Sequence, residues 1–401
     1  MELNRRLRNV FVSGLIACAA AAALAAADRP ASKSALVVHE WGTFTSVAGA
    51  DGQAVPWRPL NGPSDLPCFV NVLRDGPKTW VPGGLPVVSA LVRMETPVIY
   101  FYAPGGSDQT VDVRVDFNQG LMTEWYPRAS TAPQFIPKDI AANISTLAWN
   151  GVRITPDATP AYPKESAPSH YYAARETGAN PISTNGQSEK FLFYRGLASF
   201  PINLAATAVD AGRVRVENTG REIPRVVLFQ NRGGRIGYRI ASAPQGATTI
   251  DAPVLGASFE SLGADLERML VEQGLFNAEA KAMIATWRDS WFEEGTRLFY
   301  LLPQASVDAT LPLSINPAPA RTVRAFVGRL ELATTAILAD IEKALRAGNV
   351  KALLPYARFI ETFAMQVQSR TPDIDRARVQ DMLRVIVASY GNESGCQQSA
   401  H

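Results

Sequence analysis

The run Thr110-Val111-Asp112-Val113-Arg114-Val115-Asp116-Phe117 alternates apolar and charged side chains. In an extended chain that period of two gathers the valines and the phenylalanine on one side and the charges on the other. A segment built this way is a strand with one wet face, as in an antiparallel sheet packed on one side only. Residues 213–217 repeat it, with Val214 and Val216 set between Arg213, Arg215 and Glu217. Further β-branched and aromatic runs occupy 36–47, 87–102, 190–194, 225–230 and 235–241, and Asn231-Arg232-Gly233-Gly234 joins the last two as a hairpin turn. Strands at this spacing over more than 200 residues predict β-sandwich architecture rather than a βαβ sheet. Between Tyr126 and Lys190 the pattern lapses into Pro, Ser, Thr and Ala, with only 147–154 strand-like, so a long excursion is expected there.

After Pro253 the period changes. Leu262, Leu266, Met269 and Leu270 share one helical face and Gly274 ends that helix; Asn277 then caps a second, with Met283, Trp287 and Trp291 four residues apart, and Gly295 stops it. Strand-like runs resume at 297–302 and 322–330, so the helical pair 258–295 is an insertion. Helices are predicted over 334–346, 350–369 and 372–390, the last opened by Thr371 as cap and Pro372 at the first helical position. The expected fold is α+β: a mainly antiparallel β-sandwich body over 35–330, or two sandwiches at about 35–155 and 190–330, with the inserted helical pair, a carboxy-terminal helical region at 334–391 and a loose tail at 392–401.

The amino terminus sets the compartment. Arg5, Arg6 and Arg8 precede an apolar, Ala-rich run over 10–27 that breaks at Asp28-Arg29-Pro30, the layout of a secretory signal peptide (1–27) cleaved after Ala27. The expected location is periplasmic or extracellular. Leu15-Ile16-Ala17-Cys18 offers a lipobox as the minority alternative, with a lipoprotein anchored through Cys18. With 47% hydrophobic and 19% charged residues the 401-residue chain has ample material for a core. Three of its 39 basic residues and one of its 37 acidic ones fall in the leader, so the remainder of the chain is electrically balanced. Without a basic cluster neither nucleic acid nor an anionic lipid surface is an expected partner, and no transmembrane anchor is expected after processing. Cys68 and Cys396 remain after cleavage, and their pairing is open; CxxC and CxxCH are absent, which gives no support to thioredoxin-like chemistry or covalent haem.

Several clusters carry candidate chemistry. In His39-Glu40-Trp41-Gly42-Thr43-Phe44-Thr45, His39 and Glu40 point to opposite faces of a regular strand unless Gly42 marks a bulge; the plain alternative puts Trp41 in the core and His39 hydrogen-bonded at its edge. Within the excursion, Ser169-His170-Tyr171-Tyr172-Ala173-Ala174-Arg175-Glu176 offers His170 and Glu176 to join His39 in a two-His, one-carboxylate site for zinc or iron, although HExxH is absent. Its plain reading is a short helix docking its tyrosines on the sandwich. Carboxylates beside aromatics, Glu40-Trp41, Glu95 and Glu124-Trp125-Tyr126, suit glycoside hydrolysis by paired acids. Glu293 and Glu294 close a helix against its dipole, and Arg297 or Arg288 is the expected counterion. Nucleophile-elbow, phosphate-loop and dinucleotide-binding patterns are missing, and Asp116-Phe117-Asn118-Gln119-Gly120 starts a calcium loop it does not finish.

HEWGTFT (39–45), METPVIYFY (94–102), TEWYP (123–127), HYYAARE (170–176), EKFLFYRG (189–196) and WFEEGTRLFY (291–300) together resemble an uncharacterised family of exported proteins from environmental bacteria. The resemblance covers most of residues 36–330 and leaves the final helices outside. It implies export and a shared β core, and it brings no activity, cofactor or catalytic residue.

The expected function is therefore an extracytoplasmic binding or structural module of the cell envelope. It would present the 127–189 excursion, with Tyr171, Tyr172 and Arg175, to a protein or glycan partner, while Trp41, Trp125 and Tyr126 supply further aromatic binding surface. The alternative is a secreted hydrolase, metal-assisted through His39 and His170 or carboxylate-based through Glu40 and Glu124, with Glu176 a third candidate acid.

Overall fold

Alternation decides which strands are covered on one side and which on both. In the Gln109–Asn118 strand Val111, Val113, Val115 and Phe117 are buried while Thr110, Asp112 and Arg114 are exposed. The Val37–Val47 strand shows no such alternation, since every residue after the first is buried. A strand buried throughout must lie between two layers.

The computed structural model describes residues 35–60, 66–73, 88–132 and 139–391; the leader, Cys18, Cys396 and the tail lie outside them. Among these residues the largest sheet has nine strands, in the order Arg235–Ala243, Ile223–Arg232, Gly295–Leu301, Arg321–Leu332, Val37–Val47, Val92–Tyr102, Leu192–Ala198, Gly120–Tyr126 and Asn71–Val72. All neighbours are antiparallel except Val37–Val47 with Arg321–Leu332, which run parallel. The first and last long strands of the body thus meet at the centre of the sheet. Strands from both sides of the excursion share this sheet, so the two-sandwich alternative, 35–155 against 190–330, does not describe the molecule.

One face of the large sheet packs Val38, Phe44, Met94, Ile99, Phe101, Tyr194 and Phe326 against Val111, Val113, Val115, Leu147 and Trp149 of a six-stranded sheet. Farther along that face Val226, Leu228, Leu298, Tyr300, Leu330 and Leu332 meet a three-stranded sheet made of Leu204–Ala208, Val214–Asn218 and Gly246–Ile250. The opposite face carries Trp41, Val98, Tyr100, Phe193, Phe229, Phe299 and Val323 beneath the Phe259–Glu272 and Asn277–Trp291 helices. Burial of each such side chain stabilises the fold by about 1.5–3 kcal/mol before chain entropy is counted. The carboxy-terminal helices form a core of their own, to which the body lends Val47 and Trp57.

The α+β class, the inserted helical pair and the helical carboxy-terminal region stand as expected. So does the hairpin: Arg232 pairs with Arg235 around Gly233-Gly234, both at positive φ, the two-residue turn that matches strand twist. Other expectations are corrected. Asn277 is the first helical residue rather than the cap, and Glu279 accepts the Phe276 N–H. The 350–369 helix is three pieces, Val350–Leu353, a 3₁₀ turn at Leu354–Tyr356 and Ile360–Arg370, because Pro355 cannot continue the ladder. The last helix starts at Arg376, where the Asp375 carboxylate takes the N–H of Ala377, and not at Pro372. The excursion is not bare loop: it holds the Ile144–Ile154, Ile182–Thr184 and Gln187–Glu189 strands and a 3₁₀ helix, His170–Arg175. Among the described residues no helix is long and apolar enough to cross a membrane. Cys68 is disulfide-bonded, and the chain's two other cysteines lie outside the described residues.

Candidate functional site

His39 and Glu40 do point to opposite faces. The irregularity opposite Gly42 is real, but the extra residue belongs to the neighbouring strand at Thr96-Pro97, so it does not turn either side chain round. Glu40 faces the six-stranded sheet, where Tyr194 donates its hydroxyl to it and the Arg324 guanidinium lies 2.5 Å away; Arg324 also reaches Asp308 at 2.8 Å. Burial, reinforced by the Glu40 charge, holds the Tyr194 phenol well above its ordinary 10. His39 faces the helical pair, its Nδ1 2.7 Å from Glu279 Oε2, with its ring against Phe276 and Tyr102.

The structure does not bring the proposed metal ligands together. His170 pairs with Asp289 at 3.3 Å, near the surface. Glu279 and Asp289 sit ten residues apart on one helix, about 15 Å along its axis, so the two imidazoles meet that helix at well separated levels. Ligands at about 2.1 Å from one ion cannot span that distance. Glu176 is exposed at the end of the 3₁₀ helix. Among the described residues no three His, Cys, Asp or Glu side chains are grouped to hold an ion.

The paired-acid arrangement fails for a different reason. Glu124 lies directly across from Arg195, the neighbour of Tyr194, whose side chain reaches Glu40. Alternation therefore puts Glu124 and Glu40 on opposite faces of the sheet. Both are buried among the described residues, so no sugar could bind between them there. Trp41, Trp125 and Tyr126 are likewise core side chains rather than platforms.

The Tyr/Arg cluster of the excursion turns inward, in line with the plain alternative of a short helix docked by its tyrosines. Tyr171 is buried and donates to Glu189 at 3.1 Å; Arg175 forks onto the same carboxylate, at 2.6 Å by its closest nitrogen, and donates to Pro163 O. The rings of Tyr162, Tyr171 and Tyr172 surround that guanidinium, 5.0–5.5 Å from it. Burial outweighs Arg175 and raises the Glu189 carboxyl above its ordinary 4.5. These residues clasp the excursion to the sheet, with Tyr171 and Glu189 buried and Tyr162, Tyr172 and Arg175 half-buried.

Sequence patterns gave little sign of a charged band on the helical face, crossing six adjacent strands through Arg297, Arg329 and Glu331, Thr45, Arg93 and Glu95, Arg195 and Glu124. Glu331 lies 2.9 Å from Arg297 and 3.0 Å from Arg329. Arg329 also binds Glu293 at 2.5 Å, while Arg297 donates to the carbonyls of Trp291, Glu293 and Glu294 at the end of the helix. Arg297 thus offsets the helix terminus as expected, but Glu293 goes to Arg329 and Glu294 accepts the Gly233 N–H. Glu95 accepts from Thr45 and pairs with Arg358 of the carboxy-terminal region. Burial alone would raise the Glu95 carboxyl, yet Arg358 and Arg93 hold it below 4.5; burial, with Arg195 close by, pulls Arg93 down to about 10. The only sequence trace was Arg and Glu inside otherwise apolar strands.

One concave feature lies elsewhere, between the core shared with the six-stranded sheet and the core under the three-stranded one. Phe44, Phe200, Ile202, Leu204, Ile223, Tyr300 and Leu302 line a hollow of about 660 Å³ including its open mouth, with Asn203, Arg221 and Ser306 at the rim. Ile202 and Leu302, each partly buried, pack against both cores. Gly328 lets the Tyr300 ring lie flat across the sheet, since a Cβ there would come 2.2 Å from it.

No family model and no curated protein matches the chain. Among solved structures it is similar to the yeast δ-COP-I μ-homology domain, alone and complexed with a Dsl1 WxWxV peptide, each at 9% identity and TM-score 0.26, covering 76% of this chain and 98% of that one. A likeness that weak carries no argument. Fold and site together define a β-rich α+β protein with internally neutralised buried charge and a mixed hollow between two of its cores.

Proposed function

We propose that the protein is an extracytoplasmic binding module of the cell envelope that holds a small ligand in the hollow between the two cores. One observation carries the reading: His39 and Glu40 are spent on internal partners, while Ile202, Leu302 and Phe200 keep apolar surface open to a concavity with a polar rim. Apolar walls with a few convergent polar groups are the usual build of a small-molecule site. Export rests on the charged and apolar leader at 1–27. The hydrolase alternative would need Glu40 and Glu124 to act across a sheet, or His39 and His170 to act at separate levels of a helix.

Expression of the full chain followed by cell fractionation and native mass spectrometry tests it. The expected product is periplasmic, begins at Asp28 and carries adducts of small organic ligands that an Ile202→Trp variant loses. Full-length protein confined to the cytosol, or adducts indifferent to that variant, would overturn the reading.

A further inference from the structure

The rim of the hollow is charged on one side only. Arg221 is exposed there and has no carboxylate partner among the described residues, although Glu222 is its chain neighbour. A second hollow shares the Ile223, Leu302 and Pro303 wall, and its cation is already neutralised, with Arg225 2.8 Å from Glu272. Apart from Glu222, the polar side chains lining the hollow beside Arg221 are neutral. The Asn218 amide is spent on the carbonyls of Arg221 and Ala243, its oxygen takes the Gly220 N–H, and Asn203 and Ser306 are exposed at the mouth. A ligand whose tail lies along Phe200, Ile202, Leu302 and Tyr300 therefore brings its head to the mouth that Arg221, Asn203 and Ser306 line.

We infer that the hollow takes a single-chain amphiphile with an acidic head, its carboxylate or phosphate received by Arg221 and its chain by the seam between the two cores. The inference rests on the binding reading above and adds the class of ligand. A guanidinium binds a carboxylate or phosphate in a fork, and the bond is stronger than one between neutral groups. The apolar seam explains why the partner is not a free inorganic anion, for which Ile202 and Leu302 would supply nothing.

Calorimetric titration of the mature protein with lauric acid, dodecyl phosphate and the neutral dodecyl glycerol ether, each below its micelle concentration, tests this. Wild type should bind both acids at least about tenfold more tightly than the ether, and Arg221→Glu should remove that preference while binding the ether within about twofold of wild type. Binding of one acid and not the other would settle carboxylate against phosphate within the same inference. Ile202→Trp should abolish binding of all three with the circular dichroism spectrum intact. Equal binding of acids and ether, unchanged by Arg221→Glu but lost in Ile202→Trp, overturns the acidic head and leaves the binding reading in place. Amphiphile binding that is absent, or indifferent to Ile202→Trp, overturns both.

Discussion

The two faces of the large sheet handle buried charge differently. Toward the six-stranded sheet, Glu40 and Arg324 form an isolated pair in an apolar core, with Tyr194 and Asp308 completing their bonds. Toward the helices, charges form a band in which Glu331 serves two guanidiniums at once and Glu95 serves Arg358 while lying 3.6 Å from Arg93. An isolated pair can be replaced with modest consequence if both members go together. A shared carboxylate cannot, because its loss takes a partner from more than one cation. Buried acids in strands are here fasteners between layers, and the band ties three elements to the sheet: the end of the Asn277–Trp291 helix, the carboxy-terminal helices and the sheet's own neighbours.

Replacing Glu331 with Ala should give the largest loss, about 3–5 kcal/mol in urea unfolding, since Arg297 and Arg329 both lose their shared carboxylate. Glu40→Ala should cost less, because Arg324 retains Asp308. If the two variants were equal, the contrast between band and isolated pair would collapse. Gly328→Ala should come next, at about 1–3 kcal/mol, as the added methyl displaces the Tyr300 ring; an unchanged melting temperature would show that the ring is free to move.

The acids Glu95 and Glu189 sharpen the comparison through pH. Arginines hold folded Glu95 below its unfolded value near 4.5, so its stabilising share is full above that value and disappears as pH falls through the lower folded one. Glu189 is raised by burial, so its share is full below the unfolded value and declines as pH rises through the folded one. Chemical denaturation from pH 3 to 7 should therefore show Glu95→Gln flattening the acid limb and Glu189→Gln steepening it; shifts of the same sign would contradict the assigned environments. The smallest effect belongs to His170→Ala, within about 0.5 kcal/mol, because its pairing with Asp289 is largely solvated. A larger loss, or loss of a bound metal, would reopen that residue as a ligand.

Much of the architecture was legible because it depends on local periodicity. Alternating valines in 111–115 and 214–216, the Gly233-Gly234 turn and the four-residue spacing from Met283 to Trp291 each mark an element and its buried side without reference to the rest of the chain. The parallel pairing of Val37–Val47 with Arg321–Leu332 was not legible, as it joins segments nearly 300 residues apart with no pattern that distinguishes parallel from antiparallel. The site was less legible still. Glu40, Glu95 and Glu124 look the same in sequence whether they face a cleft or an arginine, and the arginines lie on other strands.

Sequence by itself determined most of the strand and helix segments, which side of each is apolar, and that the net positive charge comes from residues 1–27, because each rests on the geometry or chemistry of consecutive residues. Tertiary structure alone decided that the acids are neutralised, that the two histidines stand at different levels of one helix, that the Tyr/Arg cluster turns inward, and that a hollow opens between two cores beside Arg221. Those outcomes depend on distances between residues far apart in the chain, which strand order and register set and local pattern does not encode.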